Sequence, residues 1–180
     1  MRSYGEVMSF RGLRYYTFKD YFRRACWAVV QPFWRCSPRW CWRFRCWLLR
    51  LFGAHIASGV YIYPAARIHQ PWNLSIGPRS IIGWDAVLYC LGQISLGSDV
   101  VVSQGAHLCA GDHDIRDPRF PVLKTPLTIA SGAWIAADAF IGPRVTIGER
   151  AVVGARAVVM RDVSASSVVA GNPARVVGQR

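Results

Sequence analysis

Four histidines are the first candidates for chemistry in this 180-residue chain. His55 and His69 have no acidic neighbours, which suits surface roles, and His107 stands one residue before an inward-facing aliphatic position. His113 differs, because it falls in Gly111-Asp112-His113-Asp114 at the head of a stretch dense in Pro and Asp. An imidazole, with an ordinary pKa near 6.5, takes a proton from an alcohol at neutral pH. Asp112 and Asp114 are placed to orient the ring, to stabilise its charged form or to contact a substrate. The bland alternative is a solvated loop histidine. Metal chemistry has little support in the spacing: Cys26, Cys36, Cys41 and Cys46 lie ten, five and five apart, without the C-x2-C pairing of a structural zinc site. His107 and His113 supply at most two of the three histidines that a catalytic metal of the carbonic-anhydrase kind needs. No G-x-x-x-x-G-K-[ST] loop and no strand-bound G-x-G-x-x-G loop is present.

A repeat must position these residues. From Leu127 onward an aliphatic recurs every six residues: Ile129, Ile135, Ile141, Ile147, Val153 and Val159. A small residue tends to precede each by two positions, as Ala133, Ala139, Ala151 and Ala157 do, and Gly or Ala usually follows. The frame also runs through Ile76, Ile82, Leu88 and Ile94, slips by two to Leu96, Val102 and Leu108, and opens weakly at Ile56, Ile62 and Ile68. Six is neither a helical period nor that of an uninterrupted strand. It fits a short strand and a turn on each side of a three-sided coil of about eighteen residues, stacked at roughly 4.8 Å. No single coil hides its own apolar face. The expected fold is all-β, a parallel β-helix spanning residues 54–163, with Gly or Ala easing each corner. Two segments break the frame: residues 111–126 should loop out of the coil, where function concentrates, and residues 164–180 should cap its open end.

Residues 1–53 form a third region. Residues 1–50 hold ten Arg and Lys19 against Glu6 and Asp20, or +9 of the chain's net +12. That asymmetry argues against a nucleic-acid-binding surface over the whole protein. Residues 10–52 read as helices dense in Arg and Trp, clearest over residues 39–52 and capped at Gly53. One reading packs their aromatic face on the first coils or a neighbouring subunit. The other is peripheral contact with a membrane surface. The uncharged run of residues 25–34 is too short to span a bilayer. The start of the chain lacks the apolar core of a secretory signal, so the cysteines read as free thiols in the cytoplasm, at the inner face of a membrane if the leader binds it.

Several segments resemble the hexapeptide-repeat O-acetyltransferases, above all those of colanic acid biosynthesis and, more broadly, the maltose, galactoside and nodulation enzymes. They are Leu48-Leu49-Arg50-Leu51-Phe52-Gly53-Ala54, Trp84-Asp85-Ala86-Val87-Leu88-Tyr89, Leu108-Cys109-Ala110-Gly111-Asp112-His113-Asp114 and Gly171-Asn172-Pro173-Ala174-Arg175. The resemblance implies a left-handed β-helix, a homotrimer with sites between subunits, acetyl-CoA as co-substrate without a metal, and a saccharide acceptor, lipid-linked or free. It assigns His113 as general base. It puts Asp85 where the sugar enzymes carry an acceptor-binding Asn, although a corner residue is the plain alternative. Trp134, Ala137 and Ala155 match positions along the acetyl-CoA groove, while Arg161 and Arg175 are placed to meet CoA phosphates. The rivals are an inactive β-helix scaffold and acyl transfer to an amino sugar or to serine.

Overall fold

The computed structural model describes residues 16–180. The start of the chain and the first part of the leader, residues 1–15, lie outside the described residues. Short parallel strands line three faces of a column. The first face stacks His55–Ile56, Leu74–Ile76, Ile94–Leu96, Leu127–Ile129 and Thr146–Ile147. The second stacks Tyr61–Ile62, Ile81–Ile82, Val101–Val102, Trp134–Ile135, Val152–Val153 and Ser167–Ala170, and the third Arg67–Ile68, Val87–Tyr89, His107–Cys109, Phe140–Ile141 and Val158–Val159. The six-residue aliphatics all point inward, and those from Ile62 to Val159 are essentially inaccessible. Burying each contributes on the order of 1.5–3 kcal/mol.

Two details differ from the simple hexad. Early coils are longer: His55, Ser75 and Ser95 are successive partners twenty residues apart, whereas Thr128 and Thr146 are eighteen apart. The extra residues make the first-face strands three long, so that Leu74 with Ile76, and Ile94 with Leu96, both face in. This is the two-residue slip. The glycines that follow the inward aliphatics are not turn formers either. A Cβ on Gly83 would lie 2.7 Å from the Gln104 nitrogen, and one on Gly148 would lie 2.4 Å from the Ala165 nitrogen, so these positions admit the next coil's backbone. Left-handed geometry instead falls on corner residues such as Arg79, Asp85, Asp99, Asp138 and Arg156, and on Gly59, Gly105 and Gly132 at equivalent corners. Opposite charges then stack between levels, as in the bidentate Arg79–Asp99 pair.

The three outer faces are chemically unequal. On the first, His55, Ser75, Ser95, Thr128 and Thr146 form a polar stripe. On the second, Tyr61, Ile81, Val101, Trp134, Val152 and Val168 form an apolar one. Val87, Phe140 and Val158 make the third largely apolar as well.

Two helices seal the lower end. Helix α1, Phe18–Arg35, starts with a capping box between Thr17 and Asp20. Helix α2, Trp42–Leu51, ends before Gly53 at φ +89°. The first coil has no coil beneath it, and its downward carbonyls would be orphaned. Side chains of the helices supply the donors. Trp27 Nε1 donates to the Ile68 carbonyl at 2.8 Å and Trp34 Nε1 to Pro64 at 3.1 Å. Arg45 Nε donates to Ile62 at 2.8 Å, and Arg50 reaches Ile56 and Ala57 at 2.8 and 3.0 Å. Arg and Trp donate and never accept, which suits an edge of acceptors. Arg45 is fully buried and spends its other donors on Ser37 Oγ and the carbonyls of Pro38 and Arg39.

The outer side of the cap is unexpected for a solvated helix. Phe18, Phe22, Val29 and Phe33, spaced i, i+4, i+11 and i+15, form an exposed stripe opposite Trp27 and Trp34. Phe44, Trp47 and Leu51 are likewise exposed on α2. No helix among the described residues is long and apolar enough to cross a membrane. At the upper end Ser167–Ala170 pairs antiparallel with Arg175–Gln179. The connecting residues cross the third face, where Val158 N–H donates to Gly171 and Ala174 N–H to Val158.

Candidate active site

The chain leaves the coil after Ala110 as an antiparallel pair, Gly111–His113 with Val122–Lys124, in which His113 is level with Val122. At its tip Phe120 takes φ +49°, a rare conformation for an aromatic residue. That twist turns its carbonyl to within 3.1 Å of His113 Nδ1 and stacks the two rings at 4.2 Å and 14°. A carbonyl only accepts, so Nδ1 carries the proton and Nε2 of the neutral ring is the free lone pair. A base wants that tautomer.

The flanking carboxylates do other work. Asp112 Oδ1 accepts the His113 backbone N–H at 2.8 Å, and its Oδ2 lies 3.6 Å from Arg144. Asp114 accepts from the Arg116 N–H. Neither is bonded to the His113 ring, which corrects the expectation that they orient it. Phe120, which the sequence reading missed, does so. Its only sequence signal was an aromatic between Arg119 and Pro121 in the extruded loop.

Asp85 is a left-handed corner residue at φ +53°, with Arg67 3.7 Å away. It precedes the third-face strand Val87–Tyr89, while His113 follows that strand's partner, His107–Cys109. The two therefore flank the third face at opposite edges, roughly 15–20 Å apart by strand rise. One chain does not bring them together. Ala137 and Ala155 stack in the same corner column as Asp85's, joined by the Arg156 N–H donating to the Ala137 carbonyl. Trp134 stands half exposed on the second face, its Nε1 held by Ser103 Oγ at 2.9 Å. Arg161 and Arg175 do meet, across a cleft of about 500 Å³ walled by residues 158–164 and 173–176. That cleft opens above the corner from which the His113 hairpin departs, since Met160 sits on Gly142.

His107 and His69 are otherwise engaged, and His55 stands exposed on the first face. His107 lies between the rings of Tyr89 and Phe140, with a buried, unpartnered Nε2 and a pKa lowered by burial. His69 meets Tyr89 edge-on, and burial again lowers its pKa, helped by His107, Arg24 and Arg67. All six cysteines are unpaired. Among the described residues no three His, Cys, Asp or Glu side chains cluster as metal ligands would.

A column of hexads bearing a histidine hairpin can be compared with known proteins. Over 154 residues the chain is 43% identical to the protein of Escherichia coli K12 assigned to colanic acid biosynthesis as the acetyltransferase WcaF, covering 86% of this chain and 85% of that one. The chain belongs to the hexapeptide-repeat acetyltransferases. No family model matches it. Two solved structures of such acetyltransferases share its fold. One is VCA0836 of Vibrio cholerae in complex with acetyl coenzyme A, at TM-score 0.83 and 21% identity over 99% of this chain and 98% of that one. The other is a galactoside acetyltransferase in complex with coenzyme A, at TM-score 0.84 and 20% identity over 99% and 91%. The family thus agrees with the enzyme class expected from the hexads and the Gly111–Asp114 run.

Proposed function

We propose that this acetyltransferase moves an acetyl group from acetyl-CoA to a sugar hydroxyl of a surface-polysaccharide precursor. The carrying observation is His113, displayed on an extruded hairpin with Nδ1 committed to a carbonyl and Nε2 free. Nε2 takes the hydroxyl proton as the sugar oxygen attacks the thioester carbonyl. The tetrahedral oxyanion collapses, the C–S bond breaks, and the imidazolium returns the proton to the departing thiolate, giving the sugar ester and free CoA. Transfer is direct, with both substrates bound. The guanidinium groups of Arg161 and Arg175 suit the CoA phosphates, and the Trp134 indole with the Ala137–Ala155 column suits its pantetheine arm. Asp112 and Asp114 border the acceptor approach.

The working form is a homotrimer. The second outer face is apolar and the third largely so, while the first is a Ser/Thr stripe, and burying two faces per chain closes a ring of three. Such a ring supplies a neighbour's His113 to the edge where Asp85 waits, which a lone chain does not. An inactive scaffold would leave the His113–Phe120 arrangement without a use. The experiment is mass spectrometry of the source organism's surface polysaccharide with and without this protein. Loss of one acetyl increment per repeat is expected; an unchanged polysaccharide rejects the acceptor class.

The reading includes contact with a membrane through the outer stripe of the cap, with Lys19 and Arg43 exposed on the same two helices. It places the enzyme at the inner face of the membrane, where a lipid-linked saccharide is within reach. The full chain should float with anionic liposomes, and the Phe18→Ser/Phe22→Ser/Phe33→Ser variant should stay behind with unchanged circular dichroism. Equal flotation of the two proteins refutes the contact.

A further inference from the structure

Helix α1 does not lie flush on the column. Between it and the start of the third face runs a groove of about 350 Å³, lined by Arg24, Trp27, Gln31, Arg35, Arg67 and His69. A second cavity of about 530 Å³ shares Gln31 and Arg35 with it and extends past Ala65 to Trp84. The two make one trough, which ends at the corner holding Asp85.

Its electrostatics are one-sided. Three guanidinium groups from two separate elements face it, and among the described residues the carboxylate that pairs with them is Asp85, 3.7 Å from Arg67. Arg24 is braced over the Tyr16 ring at 4.4 Å. His69 feels Arg24 and Arg67 as nearby positive charges. Like charges gathered in a concave site repel, and they persist where an anion balances them. Arg24 and Arg35 are eleven residues apart, roughly 16 Å along the helix, with Arg67 across from them. A diphosphate covers more of that span than a single phosphate. At the far end the half-exposed Trp84 offers a flat apolar surface of the kind on which a sugar ring rests.

We propose that this trough binds the phosphorylated end of the acceptor, a saccharide carried on an anomeric diphosphate, with its sugar over Trp84 beside Asp85. The inference rests on the acetyl-transfer reading above and names its substrate class. The arginines hold the diphosphate and take no part in proton transfer. Nucleoside diphosphate sugars and prenyl diphosphate sugars present the same group to them.

The test separates binding from turnover. Inorganic pyrophosphate is titrated calorimetrically into the full-length protein, into Arg35→Gln, and into Arg150→Gln, a surface variant late in the column and away from the trough. Arg35→Gln should weaken binding at least tenfold while Arg150→Gln matches the parent, with thermal unfolding checked for each. Acetylation is then measured on methyl glucoside, UDP-glucose and citronellyl diphosphate glucose. The KM for a diphosphate sugar should rise at least tenfold in Arg35→Gln with kcat within twofold, and the methyl glucoside KM should not move. Preference for either diphosphate sugar supports the inference and identifies its source. Equal KM for all three sugars, or pyrophosphate binding indifferent to Arg35, overturns it. If pyrophosphate binds through Arg35 but no sugar is acetylated, the trough stands and the acetyl-transfer reading falls. If sugars are acetylated but pyrophosphate ignores Arg35, the reverse holds.

Discussion

Replacing His113 with Ala is expected to lower turnover at least about a hundredfold in an assay that follows release of the CoA thiol. The loss should fall on kcat rather than on acetyl-CoA binding. The base acts on the acceptor hydroxyl, while the residues assigned to CoA lie elsewhere, on the Trp134 face and in the Arg161–Arg175 cleft. The fold should survive, because His113 sits on a hairpin outside the column and contributes nothing to its interior. Circular dichroism and the unfolding midpoint should match the parent. A variant with parental turnover would remove His113 from the mechanism and with it the use proposed for the Phe120 carbonyl.

Arg45→Met should cause the largest loss of stability for a single substitution, about 3–5 kcal/mol. Met fills much of the volume but donates nothing. The buried Ile62 carbonyl would lose its donor, and so would the carbonyls of Pro38 and Arg39 and the Ser37 hydroxyl at the part-buried margin. Leaving buried acceptors unpaired costs more than the net worth of the bonds. For a chain of this size the midpoint of thermal unfolding should fall by roughly 6–20 °C. Burial lowers the Arg45 pKa. Even so, charge alone is not what the site requires, and Arg45→Lys should rescue little because an ammonium cannot reach four acceptors set around a planar fork. A midpoint within 2 °C of the parent for Arg45→Met would show that the lower edge is sealed some other way.

The column was legible in the sequence because its signal is repetitive. Each inward aliphatic from Ile129 to Val159 makes the same demand, and a misreading of one is corrected by the next. The chemistry of the corners was not, since left-handed backbone at Asp85 or Arg156 is imposed by stacking and resembles an ordinary polar turn in sequence. The Arg/Trp leader was ambiguous between packing and membrane contact for a physical reason. The inner side of each helix answers carbonyls supplied by residues 56–68, up to 41 positions along the chain, and the outer side carries a second apolar stripe that composition alone does not separate from the first. His113 stood out through its neighbours, but those neighbours misled, for Asp112 and Asp114 bond to backbone and to Arg144. The real support comes from a main-chain oxygen seven residues away, which no side-chain pattern announces. Nor could spacing reveal that Asp85 and His113 occupy opposite edges of one face.

The helices that close the lower end precede the first coil in the chain, whereas the hairpin that closes the upper end follows the last. A ribosome would therefore release the lid first, then one level after another, each new strand finding a finished ledge to zip onto. Vectorial growth of that kind never exposes more than one raw rim at a time. It also makes the two termini unequal under truncation: trimming the tail should leave a shorter stack with a sticky top, while trimming the leader removes the foundation on which every later storey is laid.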